Sequence, residues 1–155
     1  MSFRCASRVC ILLCVVVMSL VAFAADNPKA PWADSQTVQP EALNKELGDP
    51  KNAPGVFFVG FARLYTAGHI KGAQFHGTAG NDEGLTELRS WANSLPRSMN
   101  IVVYCGCCPI ERCPNLRPAF ALLRDMGFTK VRALILPNDF AKDWADKGFP
   151  YDKGQ

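Results

Sequence analysis

No run of lysine or arginine, and no basic stripe interleaved with aromatics, occurs in this 155-residue sequence, whose 17 basic and 14 acidic side chains leave a net charge of +3. Nucleic acid and anionic membrane surfaces are therefore set aside as partners. There is no internal repeat and no low-complexity tract, so one domain around one core is expected at this length. No apolar run reaches the roughly 18 to 20 residues that cross a bilayer. No cysteine is followed by arginine at the Cys-x5-Arg spacing that wraps a phosphate, Cys107 and Arg112 coming one residue short, which sets phosphatase chemistry aside. No Asn-x-Ser/Thr acceptor is present either, which favours a bacterial periplasm for an exported chain.

What is plentiful is sulfur: seven cysteines in two groups. Cys5, Cys10 and Cys14 lie in a segment with positive charge at Arg4 and Arg8, an almost wholly apolar run from Val9 to Ala22, and a small-residue site at Ala22-Phe23-Ala24. Such a segment reads as a cleaved export signal, residues 1–24, with these three cysteines as apolar filler. Its removal takes away two arginines and no acid, lowering the net charge from +3 to +1. Residues 25–36 read as an N-terminal extension and 37–152 as a single domain. The protein is expected to be periplasmic or secreted, to meet the membrane only during export, and to act on a small sulfur-containing substrate or a protein thiol.

The second group follows Ile101-Val102-Val103-Tyr104, an apolar β-type run that delivers Cys105 into a loop holding Cys107, Cys108 and Cys113. Thiolate sulfur is a soft nucleophile and a soft metal ligand, so the grouping points to sulfur, redox or metal chemistry. Disulfides persist outside the cytoplasm, and the four could simply be paired. Structural bridges, however, stabilise most by closing long loops, and these cysteines close only short ones.

Along the chain, helix and strand signals alternate. Pro40 to Gly48 reads as a short helix with proline in its first turn. Val56 to Val59 reads as a buried strand between Pro54-Gly55 and Gly60. Asp82 to Leu95 has apolar residues at near-helical period, with Asp82 as N-cap and Pro96 as stop. After the cysteine loop, Asn115 reads as the cap of a helix ending at Gly127, Val131 to Leu136 as a strand, and Asn138 to Lys147 as a last helix. Alternation with short connections predicts an α/β fold with a mostly parallel central sheet covered by helices on both faces. Sites in such sheets lie at the carboxyl ends of strands, where Cys105 stands. Inward backbone N–H groups and the amino end of the next helix favour an anion there, so Cys105 is expected to be a thiolate, with Arg112 and Arg117 as candidate anion-binding residues at the mouth.

Three stretches carry a family resemblance. Leu64-Tyr65-Thr66-Ala67-Gly68-His69-Ile70-Lys71-Gly72-Ala73 resembles the Tyr-x-x-Gly-His-Ile-x-Gly-Ala segment of the rhodanese-like sulfurtransferases. Val102-Val103-Tyr104-Cys105 is similar to their active-site strand, and Arg117 to Val131 with Trp144 and Gly148-Phe149-Pro150 follows their closing helix and tail. The resemblance runs from about Val38 to Pro150. It implies a rhodanese-like domain whose catalytic Cys105 takes a sulfane sulfur from a donor such as thiosulfate as a persulfide and passes it to cyanide or a thiol, with no cofactor. It also implies a structural His69, holding a turn; His76 reads as a loop residue. The chain departs from the family pattern in three places. Gly60-Phe61-Ala62-Arg63 replaces an acidic-then-arginine pair, leaving Arg63 as a partial substitute. Leu136-Pro137-Asn138-Asp139 replaces a Gly-Gly pair. The loop after Cys105 is about five residues longer, carries the three extra cysteines, and ends in Leu116-Arg117 in place of Arg-Ser.

The extra cysteines leave alternatives open. Cys108 stands at Cys-x-x-Cys spacing from Cys105 and is a candidate resolving thiol, with Cys107 and Cys113 as auxiliaries. Alternatively, Cys105, Cys107, Cys108 and Cys113 form a non-catalytic module that binds Cu(I) or Zn(II) or exchanges disulfides with a partner.

Overall fold

The computed structural model describes residues 32–154. The expected export signal, with Cys5, Cys10 and Cys14, and the extension up to Pro31 lie outside the described residues.

In chain order the elements are β1 (Thr37–Val38), α1 (Pro40–Leu47), β2 (Gly55–Phe58), α2 (Ala62–Ala67), β3 (His69–Ile70), β4 (Gln74–Phe75), α3 (Asp82–Ala92), β5 (Asn100–Tyr104), α4 (Leu116–Asp125), β6 (Lys130–Leu134) and β7 (Tyr151–Asp152). Five strands form one parallel sheet in the order β1-β6-β5-β2-β4. β5 sits at its centre, pairing Val56 with Val102 on one side and Val103 with Ala133 on the other. β3 and β7 form a separate antiparallel pair. Among the described residues, no helix is long and apolar enough to cross a membrane.

Side chains alternate across β5, and each half of the alternation enters a different core. Ile101, Val103 and Cys105 join Leu88 and Ala92 of α3 and Leu116, Ala119, Phe120 and Leu123 of α4. Val102 and Tyr104 join Leu43 of α1, Val56 and Phe58 of β2, Ile70 and Trp144. The sheet is therefore buried on both faces, which is why its central strands read as continuous apolar runs. Each fully buried aliphatic or phenyl side chain here contributes about 1.5–3 kcal/mol relative to exposure.

Several element boundaries differ from the sequence expectation. The cap of α3 is Asn81, whose side chain accepts from the Gly84 N–H at 2.8 Å, and Asp82 is the first helical residue; the helix stops at Ala92, with Asn93 as its C-cap. β6 ends at Leu134, although Ile135 N–H still donates to Val38 O. The helix expected over 138–147 is only a π-helical turn, Ala141–Ala145. The buried Asp143 carboxylate accepts from Asn138 N–H at 2.6 Å, Asn138 Nδ2 at 2.9 Å and Asp139 N–H at 3.1 Å, which holds residues 138 and 139 as a loop around it. A buried charge is tolerable only with such donors.

The Tyr65–Ala73 segment is a structural device. His69, 5% exposed, stacks on Tyr65 at 3.8 Å, and its Nδ1 lies 2.9 Å from Tyr65 O. Tyr65 Oη donates to Ala73 O, and Ile70 N–H donates to Tyr104 Oη at 2.9 Å, tying the segment to the end of β5. His76 packs flat against Trp91 at 3.8 Å, and burial lowers its pKa.

Candidate active site

β5 ends where the chain turns at Gly106, and there Cys105 lies 3% exposed. Two glycines make this placement possible. Gly106 has φ +73°, a left-handed conformation that side chains resist, and a Cβ there would press on Phe140 at 3.0 Å. Gly60, just past β2, approaches so closely that a Cβ would lie 2.7 Å from Cys105 O and 2.9 Å from Cys105 Sγ. The position where the family pattern carries an acidic side chain region is thus filled by backbone packed against the thiol.

Cys105 Sγ is surrounded by donors. Asn115 Nδ2 donates to it at 3.1 Å, and Cys107 Sγ lies 3.2 Å away. Its pKa is lowered to about 6, first by the Cys113 thiol beside it, then by the Asn115 amide and by the thiol and backbone N–H of Cys107, against the opposing effect of burial. Cys105 is therefore largely a thiolate at neutral pH. The same charge raises its neighbours: Cys113 is pushed far up by its hydrogen bond to Cys105 and by burial, and Cys107 by burial and by its contacts with Cys108 and Cys105. One anion is thus shared among three sulfurs, and Cys105 carries it.

Asn115 occupies the N-cap position of α4 as its place in the sequence suggests, but its side chain does not do the capping. It immediately precedes α4 but makes no side-chain cap hydrogen bond, spending its amide on Cys105 instead. It is fully buried; its Oδ1 faces Gly80, where a Cβ would collide with it, and has no hydrogen-bond partner among the described residues. Sequence reading missed this role because an asparagine ahead of a helix is read as a cap. Leu116, the first residue of α4, lines the same narrow gap as Cys105, so the amino end of the helix is near the sulfur and its dipole favours an anion there.

The four loop cysteines are not equivalent. The sulfurs of Cys105, Cys107 and Cys113 all lie within 4.8 Å of one another, a soft three-sulfur set that can hold Cu(I) or Zn(II). Cys108 lies outside that set and meets Cys107, Sγ to Sγ, at 2.9 Å. None of the four is in a disulfide.

Cys105 and Cys107 line a cavity of about 510 Å³ together with Leu64, Gly68, Phe140 and Tyr151. Its charged lining is Asp139, Asp146 and Lys153. The three candidate arginines do not line it. Arg63 is exposed on α2 beside the Phe61 ring, Arg112 is exposed on the 3-10 turn Ile110–Arg112, and Arg117 lies over the Trp32 ring at 4.4 Å.

No protein-family model and no curated protein matches the sequence. Solved structures do. The rhodanese-like domain of the Alr3790 protein from Anabaena sp is 25% identical over 76% of this chain and 79% of that one, with a TM-score of 0.57. The BH2092 protein from Bacillus halodurans is 19% identical over 77% of each chain, with a TM-score of 0.61. EanB, solved in complex with hercynine, is 22% identical and matches 82% of this chain but 29% of its own, with a TM-score of 0.57; the last two likenesses are of fold alone. With five parallel strands in this order and a cysteine at the carboxyl end of the central one, the chain has the fold of a rhodanese-like domain and is similar to the solved members of that family.

Proposed function

We propose that the protein is a sulfurtransferase working through a persulfide on Cys105. The observation that carries this reading is the setting of Cys105 Sγ, a sulfur held by Asn115, Cys107 and Cys113 at the end of β5 and opening onto the 510 Å³ cavity. The thiolate attacks the outer sulfur of a donor such as thiosulfate; the donor's S–S bond breaks and sulfite leaves with the electron pair, giving Cys105–S–S⁻. The amide of Asn115, the Cys107 N–H and the amino end of α4 stabilise the negative charge that persists throughout. A thiophilic acceptor, cyanide or a thiol, then takes the outer sulfur and returns the thiolate. With two carboxylates and one lysine on the cavity wall, an alkyl persulfide is a donor to be tried beside thiosulfate.

A second reading rests on the three sulfurs within 4.8 Å, which suit Cu(I) or Zn(II) in a binding module. Native intact mass of protein purified without reductant, before and after donor, separates the two. A gain of one sulfur that cyanide removes and that Cys105→Ser lacks supports the transferase; bound copper or zinc with no sulfur gain supports the binding module. The proposal puts the protein outside the cytoplasm on the pattern of residues 1–24, and the N-terminal mass of the chain recovered from cells tests that part.

A further inference from the structure

We propose that Cys107 is a resolving thiol: it attacks the persulfidated Cys105, closes a Cys105–Cys107 disulfide and releases the carried sulfur as hydrosulfide. This rests on the persulfide reading above.

Geometry singles out Cys107 among the three candidates. Its Sγ is 3.2 Å from Cys105 Sγ, near van der Waals contact, whereas Cys108, at the spacing that suggests a redox pair, touches Cys107 and stands outside the three-sulfur group. Only Gly106, with φ +73°, separates the two residues, and the sulfurs still meet across it. Cys107 is also half-buried and lines the same 510 Å³ cavity through which a donor reaches Cys105. Cys113, 7% exposed, lies on the other side, lining a narrow gap under Ile110 and Leu116, where it supports the thiolate without meeting an incoming sulfur.

The step balances without an added reagent. Cys105–S–S⁻ and the Cys107 thiol give Cys105–S–S–Cys107 and HS⁻: the Cys107 sulfur bonds to Cys105 Sγ, the bond to the outer sulfur breaks, and the Cys107 proton leaves with it. Each cysteine sulfur gives up one electron and the sulfane sulfur takes both. Resetting the site then calls for an external dithiol reductant acting by thiol–disulfide exchange. Sulfide release would thus be a second outlet beside transfer to an acceptor.

The test uses the full chain, reduced, freed of reductant and given thiosulfate anaerobically, with sulfide measured and cysteines located after alkylation and trypsin. Cleavage after Arg112 separates peptide 98–112, with Cys105, Cys107 and Cys108, from peptide 113–124, with Cys113. We expect wild type and Cys108→Ser to release one sulfide per chain and to yield peptide 98–112 lighter by two hydrogens, with fragmentation assigning the bond to Cys105–Cys107 in wild type. Cys107→Ser should keep the added sulfur and release sulfide on the order of 100-fold more slowly, since it loses an intramolecular attack. A stable sulfur adduct with free Cys107 in wild type, or a bond joining the two peptides through Cys113, overturns the proposal while leaving the transferase intact. Absence of both sulfur gain and sulfide in every protein overturns both readings. The wild-type disulfide map decides the matter even if the serine variant misfolds.

Discussion

Tyr104 and Cys105 are sequence neighbours at the end of one strand, both nearly fully buried, yet they face opposite cores and opposite fates. On the Tyr104 side each polar group is matched to a different kind of partner: its hydroxyl accepts from Ile70 N–H, Tyr65 Oη donates to Ala73 O, and His69 Nδ1 meets Tyr65 O. Burial pushes the Tyr104 phenol up, out of reach of titration. On the Cys105 side, like meets like. Three thiols contend for one negative charge, a buried amide donates to sulfur, and that amide's oxygen goes without a partner. The difference teaches that satisfied, unlike pairs build a fold, whereas a crowd of identical groups held close stores the reactivity of whichever one wins the charge.

The largest effect is expected where the comparison is broken on its reactive side. Cys105→Ser should abolish sulfur loading, read as the absence of any mass gain after thiosulfate. Its urea unfolding should stay within about 1 kcal/mol of wild type, because the hydroxyl keeps a hydrogen bond to Asn115. Breaking the other side should do the converse. Tyr104→Phe strands the Ile70 N–H in the core and should cost about 1–3 kcal/mol, a lower urea midpoint with unchanged slope, while sulfur loading of the folded protein persists. If Tyr104→Phe instead halted loading without loss of stability, the division between the two sides would be wrong.

The sequence made one side of this comparison legible and half of the other. Continuous apolar runs marked β2 and β5 because a sheet buried on both faces demands them, β6 was read from Val131 to Leu136 despite Arg132 within it, and the strand-end position of Cys105 followed from their alternation with helices. The two-residue strands β1, β3, β4 and β7 carried no periodic signal. Neither did α2, whose six residues, Ala62–Ala67, bury none of their side chains fully. At the site, the identity of the cysteines was plain but their grouping was not, since Cys-x-x-Cys spacing favours Cys108 while in the fold the sulfurs of Cys107 and Cys113 lie with that of Cys105. Asn115 was hidden by its own plausibility as a cap. The arginines were expected at the mouth because an anion attracts cations. In the fold, Arg117 lies over Trp32 and Arg63 beside Phe61, contacts that no local pattern announces.

A smaller effect sharpens the reactive side. Asn115→Leu removes the amide donor while keeping a similar volume, so the Cys105 thiolate loses one charge-assisted hydrogen bond. The rate of Cys105 alkylation against pH should follow the thiolate fraction, rising through about pH 6 and levelling near pH 7 in wild type. In Asn115→Leu its midpoint should move upward by about one unit, the equivalent of roughly 1.5 kcal/mol. An unmoved midpoint would assign the lowered pKa wholly to the neighbouring sulfurs.

The smallest effect concerns charge outside the cluster. Arg112 is exposed on the turn that carries Ile110 and Glu111 and does not line the cavity, so its attraction for an anionic donor is screened by water and salt over about 8–10 Å. Arg112→Gln should therefore change the rate of sulfur loading from thiosulfate by less than about twofold at 0.15 M salt. It should leave loading from elemental sulfur, an uncharged donor whose ring the thiolate opens, unchanged. A tenfold loss confined to thiosulfate would mean that the turn swings inward to meet the donor, and the reactive region would then extend beyond the sulfurs to a moving cation. A loss shared by both donors would instead point to a change in loop structure. Measuring the two donors side by side makes the arginine's charge, rather than its bulk, the quantity read.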